Sequence, residues 1–319
     1  MTRTHLALLL AFSLLACSAD PIEPGAPDAA GLEDAGGSQQ DGGDDLDAGA
    51  VVDAGVDAGT DAGPGSSMGS GGLPCEQTGT VSASGVSYSY CVAQVGSTQL
   101  KIIEPAADGS GAPLRLAIYL HGDGARAHTN DTALRLQAPW THAHRTLYVS
   151  VRAPNACAWW LRPEYTACDG TVLPGDIDSD GENADALEQA IQALRGGWDL
   201  TDGPILFGGS SGGSLFLTAS FLPMYGDRFP GAYALGCGGE EPWSGDLGWD
   251  SSNPELLGPT KLYFTYGDQD EILAEILRGV AFYRDLEFPL DEKVLPGVTH
   301  CAFDHIGRAV EVWAEYLGE

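Results

Sequence analysis

The sequence predicts a mostly parallel α/β sheet with helices on both faces, carried by the chain from residue 75 onward. Three observations predict it. Strand-like and helix-like segments alternate between residues 88 and 317, as parallel strands joined by crossover helices require. Several strand candidates are continuous apolar, β-branched runs, expected of strands buried on both faces. Glycines and polar residues gather at the carboxyl ends of those runs, where open parallel sheets hold their ligands.

In order, "YSYCVAQV" (88–95) and "LKIIEP" (100–105) read as an opening hairpin, and "LRLAIYLHG" (114–122) and "RTLYVSVRAP" (145–154) as buried strands. "ENADALEQAIQAL" (182–194) carries Ala186, Leu187, Ala190, Ile191 and Leu194 at helical spacing. Strand "PILFGG" (204–209), helix "SLFLTASFLPMY" (214–225) and strand "GAYALGCG" (231–238) follow. Then come strand "KLYFTYGD" (261–268), helix "EILAEILRGVAFYRDL" (271–286), strand "EKVLPGVTH" (292–300) and helix "AVEVWAEYL" (309–317).

Residues 1–74 have another character. Arg3 precedes an apolar run that ends at Cys17 and is too short for a permanent span, which takes about 20 apolar residues. It has the layout of an export signal. "LLAC" (14–17) resembles a bacterial lipobox, which makes Cys17 a lipidation site; an ordinary signal peptide cut nearby is the alternative. Ser18 in place of Asp after the cysteine implies sorting to the outer membrane under the lipoprotein pattern. Residues 18–74 hold 12 acidic residues, no Lys or Arg, and "DAG" at 34–36, 47–49, 53–55, 57–59 and 61–63. Such a segment has almost nothing to bury and reads as a disordered, solvated stalk. The domain plan is therefore signal peptide 1–17, linker 18–74 and a folded domain 75–319.

The whole chain has 45 acidic against 15 basic residues. That balance excludes nucleic acid as a partner, because a phosphate backbone needs a basic face. Six cysteines follow Cys17, an even number with no CxxC pair, which reads as disulfides in an oxidising compartment. Proximity pairs Cys75 with Cys91 and Cys157 with Cys168, leaving Cys237 with Cys301.

The strand ends carry the chemistry. His121-Gly122-Asp123-Gly124 follows "LRLAIYL", Gly208-Gly209-Ser210-Ser211-Gly212-Gly213 follows "PILF", Gly267-Asp268-Gln269-Asp270 follows "KLYFTY", and Thr299-His300 follows "EKVLPGV". A serine, an acid and a histidine thus follow successive strands. A hydroxyl is a poor nucleophile until a base takes its proton, an imidazole can do so near neutral pH, and a carboxylate fixes its tautomer. Over residues 100–318 the chain resembles the α/β-hydrolase family, and within it secreted esterases related to polyhydroxybutyrate depolymerases and feruloyl or acetyl-xylan esterases.

The motif G-x-S-x-G fits twice, around Ser210 and around Ser211. The resemblance, in which the motif continues with a further glycine, and the short step after Phe207 favour Ser210 as nucleophile. The amide of Ser211 then becomes one oxyanion donor and that of Asp123 or Gly124 the other, with the Asp123 carboxylate turned away. The family pattern Gly-x-x-Asp implies Asp270 rather than Asp268 as the acid. His300, at a strand end, is preferred over His305 as base. The resemblance gives His121 a bracing role, and His128, His142 and His144 read as surface residues.

Two further stretches matter. "CAWWLRPEYTAC" (157–168) offers Trp159 and Trp160 either to stack on a sugar or phenolic ring or to plug the core. "DIDSDGE" (176–182) spaces Asp176, Asp178 and Asp180 like a calcium loop, but Leu187 stands where the closing Glu belongs, and acids also favour a helix N-terminus. The expectation is an exported serine hydrolase of carboxylic esters needing no cofactor. Its substrate is a polymeric or soluble ester. A peptidase of the same fold and an inactive carbohydrate-binding protein are the alternatives.

Overall fold

The computed structural model describes residues 71–107, 109–165 and 174–319. The signal peptide, lipobox and linker expected at 1–74 fall almost wholly outside the described residues, as does Cys168. Nine strands form one sheet: β1 (Gln77–Ala83), β2 (Val86–Val95), β3 (Thr98–Ile103), β4 (Arg115–Leu120), β5 (Thr146–Val151), β6 (Ile205–Ser210), β7 (Gly231–Gly236), β8 (Lys261–Gly267) and β9 (Leu290–Leu295). Their spatial order is β1-β2-β3-β5-β4-β6-β7-β8-β9. The first three strands join antiparallel and β3 pairs antiparallel with β5. From β5 to β9 every pairing is parallel. This is the α/β-hydrolase fold.

The helices are α1 (Arg126–Thr129), α2 (Thr132–Ala143), α3 (Glu182–Gly197), α4 (Gly212–Phe216), α5 (Leu222–Tyr225), α6 (Pro254–Leu257), α7 (Leu273–Asp285) and α8 (His305–Leu317). A π-turn over Leu217–Phe221 makes α4 and α5 one continuous rod behind β6. Period-2 alternation divides each central strand between two cores. On one side, Ile118, Leu120, Ile205 and Phe207 meet Leu187, Ile191 and Leu194 of α3, Phe216 and Phe221 of the rod, and Ile276 and Val280 of α7. On the other, Ala117, Tyr119 and Leu206 meet Leu134 and Ala138 of α2 and Ala309, Val312 and Trp313 of α8. Burial on both faces explains why these strands read as unbroken apolar runs.

β1 and the helices α1, α2 and α6 add to the predicted series. β1 is an edge strand, mostly exposed, with Val81 its one buried residue, so neither face leaves an alternating pattern. Disulfides join Cys75 to Cys91 and Cys237 to Cys301, as proximity and elimination predicted. Both fit an oxidising compartment. No helix among the described residues is long and apolar enough to cross a membrane.

Candidate active site

β6 delivers two serines to the carboxyl edge of the sheet, and only one of them meets the histidine. The strand still pairs with β7 at Ser210, opposite Gly236. Ser210 is therefore the last strand residue, 3% exposed, with its hydroxyl toward the buried Tyr119 ring. Ser211 comes next and turns the chain into α4 with φ 48° and ψ −119°. A non-glycine backbone in such a region costs on the order of 1–3 kcal/mol and persists where its surroundings over-determine it. Its Oγ lies 2.8 Å from His300 Nε2. The structure does not bring Ser210 to the histidine: its side chain follows strand alternation into the core, and Ser211 stands beside His300 in its place.

The glycines explain why the second frame is the structural one. A Cβ on Gly209 would stand 2.8 Å from the Ser214 amide nitrogen, and one on Gly213 would stand 2.7 Å from the carbonyls of Leu120 and His121. Both clashes are with backbone, which cannot swing aside. Gly209 and Gly213 thus let α4 start hard against β6 and β4, with Ser211 at the apex between them.

His300 lies in the loop after β9, and its Nδ1 is 2.8 Å from Asp270 Oδ1. The Asp270 carboxylate is fully buried and also accepts the Ile272 amide at 3.0 Å. Asp268 does different work: its Oδ1 accepts the Gly297 amide at 2.7 Å and shapes the turn that leads to His300. The His305 ring turns back on the Phe303 carbonyl. Burial alone would lower the His300 pKa. The hydrogen bond and charge of Asp270, with the charges of Glu271 and Asp123, outweigh that and hold it above the ordinary histidine value. The Cys237–Cys301 disulfide ties the residue after His300 to the residue after β7, and so anchors the histidine loop to the sheet.

Of the amides expected as donors, those of Ser211 and Gly124 are occupied and, among the described residues, that of Asp123 is not. The Ser211 amide is spent on the Gly236 carbonyl at 2.9 Å, and the Gly124 amide on Cys157 at 2.9 Å. Neither is available to a substrate, which corrects both assignments. The amides of Gly212 and Asp123 have no hydrogen-bond partner among the described residues. Gly212 opens α4, where the first amides have no intrahelical acceptor. Asp123 is aimed through its own peptide unit. The His121 ring accepts the Ala153 amide on Nε2 at 3.0 Å, so Nδ1 carries the proton and donates to the Gly122 carbonyl at 2.7 Å. In a trans peptide the Asp123 N–H then points the opposite way. Burial lowers the His121 pKa to about 4, so the ring stays neutral in this role.

The Asp123 side chain is also placed. Both carboxylate oxygens are 3.0 Å from Trp160 Nε1, and a Cβ on Gly212 would collide with Oδ1. Trp160 is half-buried and faces this site. Trp159 does not: it is 0% exposed and stacked on Phe216 at 5.0 Å, so it plugs the core and the stacking role predicted for it is withdrawn. Two of the three calcium candidates are engaged by the protein itself. Asp178 is buried and accepts the Glu182 and Asn183 amides at 3.0 and 2.7 Å at the start of α3. Asp180 pairs with Arg162 at 2.8 Å. Among the described residues Asp176, Asp178 and Asp180 do not converge as a ligand set.

His128 is likewise no surface residue. It is 1% exposed, with its ring nitrogens on Ser150 and Gln99. Burial, with the nearby Lys101 charge, lowers its pKa to about 2. His142 and His144 are half-buried, packed edge-on to Tyr88 and stacked on Trp140. A separate cavity of about 440 Å³, lined by Tyr88, Tyr90, Glu104 and His142 among others, lies on the β1–β3 hairpin and contains none of the Ser211 site.

No protein-family model and no curated protein matches this chain. Among solved structures it is similar to a thermostable esterase, at 15% identity over 76% of this chain and 61% of that one, with a TM-score of 0.49. It is similar to Est1E from Butyrivibrio proteoclasticus at 12% identity, covering 75% and 97%, with a TM-score of 0.44. Acyl-protein thioesterase 2 from Zea mays gives 14% identity, 69% and 99% coverage, and a TM-score of 0.49. This chain thus spans less than two thirds of the thermostable esterase. The fold is established by the sheet order itself, and what the site does is taken from its own geometry.

Proposed function

We propose that the protein is a serine hydrolase of carboxylic esters, with Ser211 as nucleophile, His300 as base and then acid, and Asp270 as the group that orients the imidazole. The amides of Gly212 and Asp123 are the oxyanion donors. The observation that carries this reading is the continuous chain of hydrogen bonds from Ser211 to His300 to Asp270, each 2.8 Å, behind a strained turn at Ser211.

The steps follow from the placement. His300 Nε2 accepts the Ser211 proton as Oγ bonds to the ester carbonyl carbon. The carbonyl oxygen becomes an oxyanion against the two amides, a contact worth about 2.7–4 kcal/mol per donor when such a donor is lost. The imidazolium gives its proton to the departing alkoxide, and the alcohol leaves. Water attacks the acyl-enzyme with His300 again as base, restoring Ser211 and releasing the acid. Buried Asp270 keeps the proton on Nδ1 and stabilises the imidazolium between transfers.

Carboxylic esters are the substrate class because residues 100–318 resemble secreted esterases; the acyl and alcohol parts stay open between polysaccharide esters, polyesters and soluble esters. The disulfides and the leader support an exported protein. Lipidation at Cys17, a linker over 18–74 and outer-membrane anchoring are part of this proposal. The test uses purified full-length protein with p-nitrophenyl butyrate before and after a fluorophosphonate. Turnover abolished in step with one covalent adduct supports the reading. A folded protein that neither turns over the ester nor takes the adduct contradicts it.

A further inference from the structure

We infer that Asp123 makes the site selective by charge, favouring esters that carry a positively charged group near the scissile carbonyl and disfavouring those that carry a carboxylate. The inference rests on the serine-hydrolase reading above.

The backbone and side chain of Asp123 act in opposite senses. Its amide is directed away from the Gly122 carbonyl that His121 holds, as an oxyanion donor would be. Its carboxylate folds back beside Gly212, the other donor residue, and is fixed there by the Trp160 indole. Fixed negative charge next to developing negative charge opposes the reaction. Among the described residues no Lys or Arg pairs with Asp123 to cancel it; the partner is an indole N–H, which is neutral. The carboxylate of Glu271 adds to the sign of the site, lying within 4.8 Å of the donor atoms of His300 and Asp270. The residue Asp123 as a whole is exposed, while its carboxylate packs against Gly212 and the Trp160 indole, so its charge acts on a bound group at the rim of the site.

A cation on the substrate would satisfy the carboxylate and remove the opposition at the same time. A substrate carboxylate would instead meet the Asp123 charge, with the charge of Glu271 near His300 adding to the repulsion. Charges a few ångströms apart at a partly screened surface change a rate constant by about tenfold per inverted sign. The raised pKa of the Asp123 carboxyl, caused by burial of the carboxylate and opposed by Trp160 and His300, is a reason to test above neutrality, at about pH 8, where a carboxyl is ionised.

The experiment compares kcat/KM for p-nitrophenyl butyrate, p-nitrophenyl hemiglutarate and butyrylthiocholine against a neutral butyryl thioester. It uses full-length wild type, Asp123→Asn and Trp160→Phe, each titrated with a fluorophosphonate to count active sites. Asparagine keeps an acceptor for the indole and the same main-chain amide, while phenylalanine removes the indole donor and leaves the charge. The expected result is a wild-type preference for neutral over anionic and cationic over neutral esters that shrinks about tenfold in Asp123→Asn, persists in Trp160→Phe, and weakens with added salt. Equal preferences in wild type and Asp123→Asn, with active sites intact, would overturn the inference alone. A preference lost in Trp160→Phe and kept in Asp123→Asn would overturn it too, because shape and not charge would then select. Absence of any titratable site would instead overturn the reading on which it rests.

Discussion

His121 and His300 both stand at the carboxyl edge of the sheet, both at least half-buried, yet their protonation is pushed in opposite directions. His121 is buried with a carbonyl and an amide, and its pKa falls to about 4. His300 is half-buried against a carboxylate, and its pKa rises. Burial is common to both; the partner decides. A neutral imidazole with both nitrogens occupied is a strut. One with a carboxylate behind it and a hydroxyl in front is built to gain and lose a proton. His128 extends the first class: neutral, enclosed and holding the loop beyond His121 in place.

The comparison is broken most strongly on the His300 side. Asp270→Asn leaves the shape and removes the charge, and kcat is expected to fall about ten-thousandfold, measured by single-turnover hydrolysis of p-nitrophenyl butyrate. A change under tenfold would make Asp270 a structural acid. On the His121 side, His121→Phe releases the Gly122 carbonyl and with it the aim of the Asp123 amide. The expected loss is about a hundredfold in kcat with little change in KM, in line with loss of a single oxyanion donor. Loss of binding instead of turnover would assign His121 to the substrate pocket.

The disulfide bears on both halves, because Cys237 follows the strand that accepts the Ser211 amide and Cys301 follows His300. Closing a loop between cysteines 64 positions apart stabilises by roughly 4 kcal/mol in the chain-entropy account. Cys237→Ala with Cys301→Ala should lower the thermal midpoint and kcat together. An unchanged kcat in a less stable protein would show that the loop holds His300 without it.

The smallest expected effect is the pH profile. His300 must be neutral to accept the Ser211 proton, so activity rises with pH through its raised pKa. Removing a negative neighbour disfavours the imidazolium, so Asp123→Asn should move the acid limb of kcat/KM to lower pH. No movement, or movement upward, would take Asp123 out of the field felt by His300. As to stability, a histidine raised in the folded state contributes below its unfolded pKa and loses that contribution as pH rises through the folded value.

The sheet was legible in the sequence because its central strands are buried on both faces and leave unbroken apolar runs. Asp270 could be singled out because it follows such a run, β8; His300 follows β9, an edge strand with no buried residue, and was singled out only by its place after a strand candidate. The choice between Ser210 and Ser211 was not legible. It depends on whether β6 keeps pairing with β7 for one more residue, and the glycine pattern fits either way. The roles of the four glycines separate only in space, where Gly209 and Gly213 meet backbone while Gly208 meets the side chains of Tyr119, Trp313 and Ala309. The proposed donor Gly212 in place of Ser211 follows from that same one-residue step, whereas Asp123 was already a candidate in the sequence. Trp159 and Trp160 are neighbours with opposite fates, since a loop without periodicity gives no sign of which ring faces inward. His128 was misread because the polar residues that enclose it, Gln99 and Ser150, lie far along the chain.

Peptide mapping of the fluorophosphonate adduct, in wild type, Ser210→Ala and Ser211→Ala, tests the central claim most directly. The account predicts an adduct on Ser211, retained in Ser210→Ala and absent from folded Ser211→Ala. An adduct on Ser210, retained when Ser211 is replaced, would contradict it.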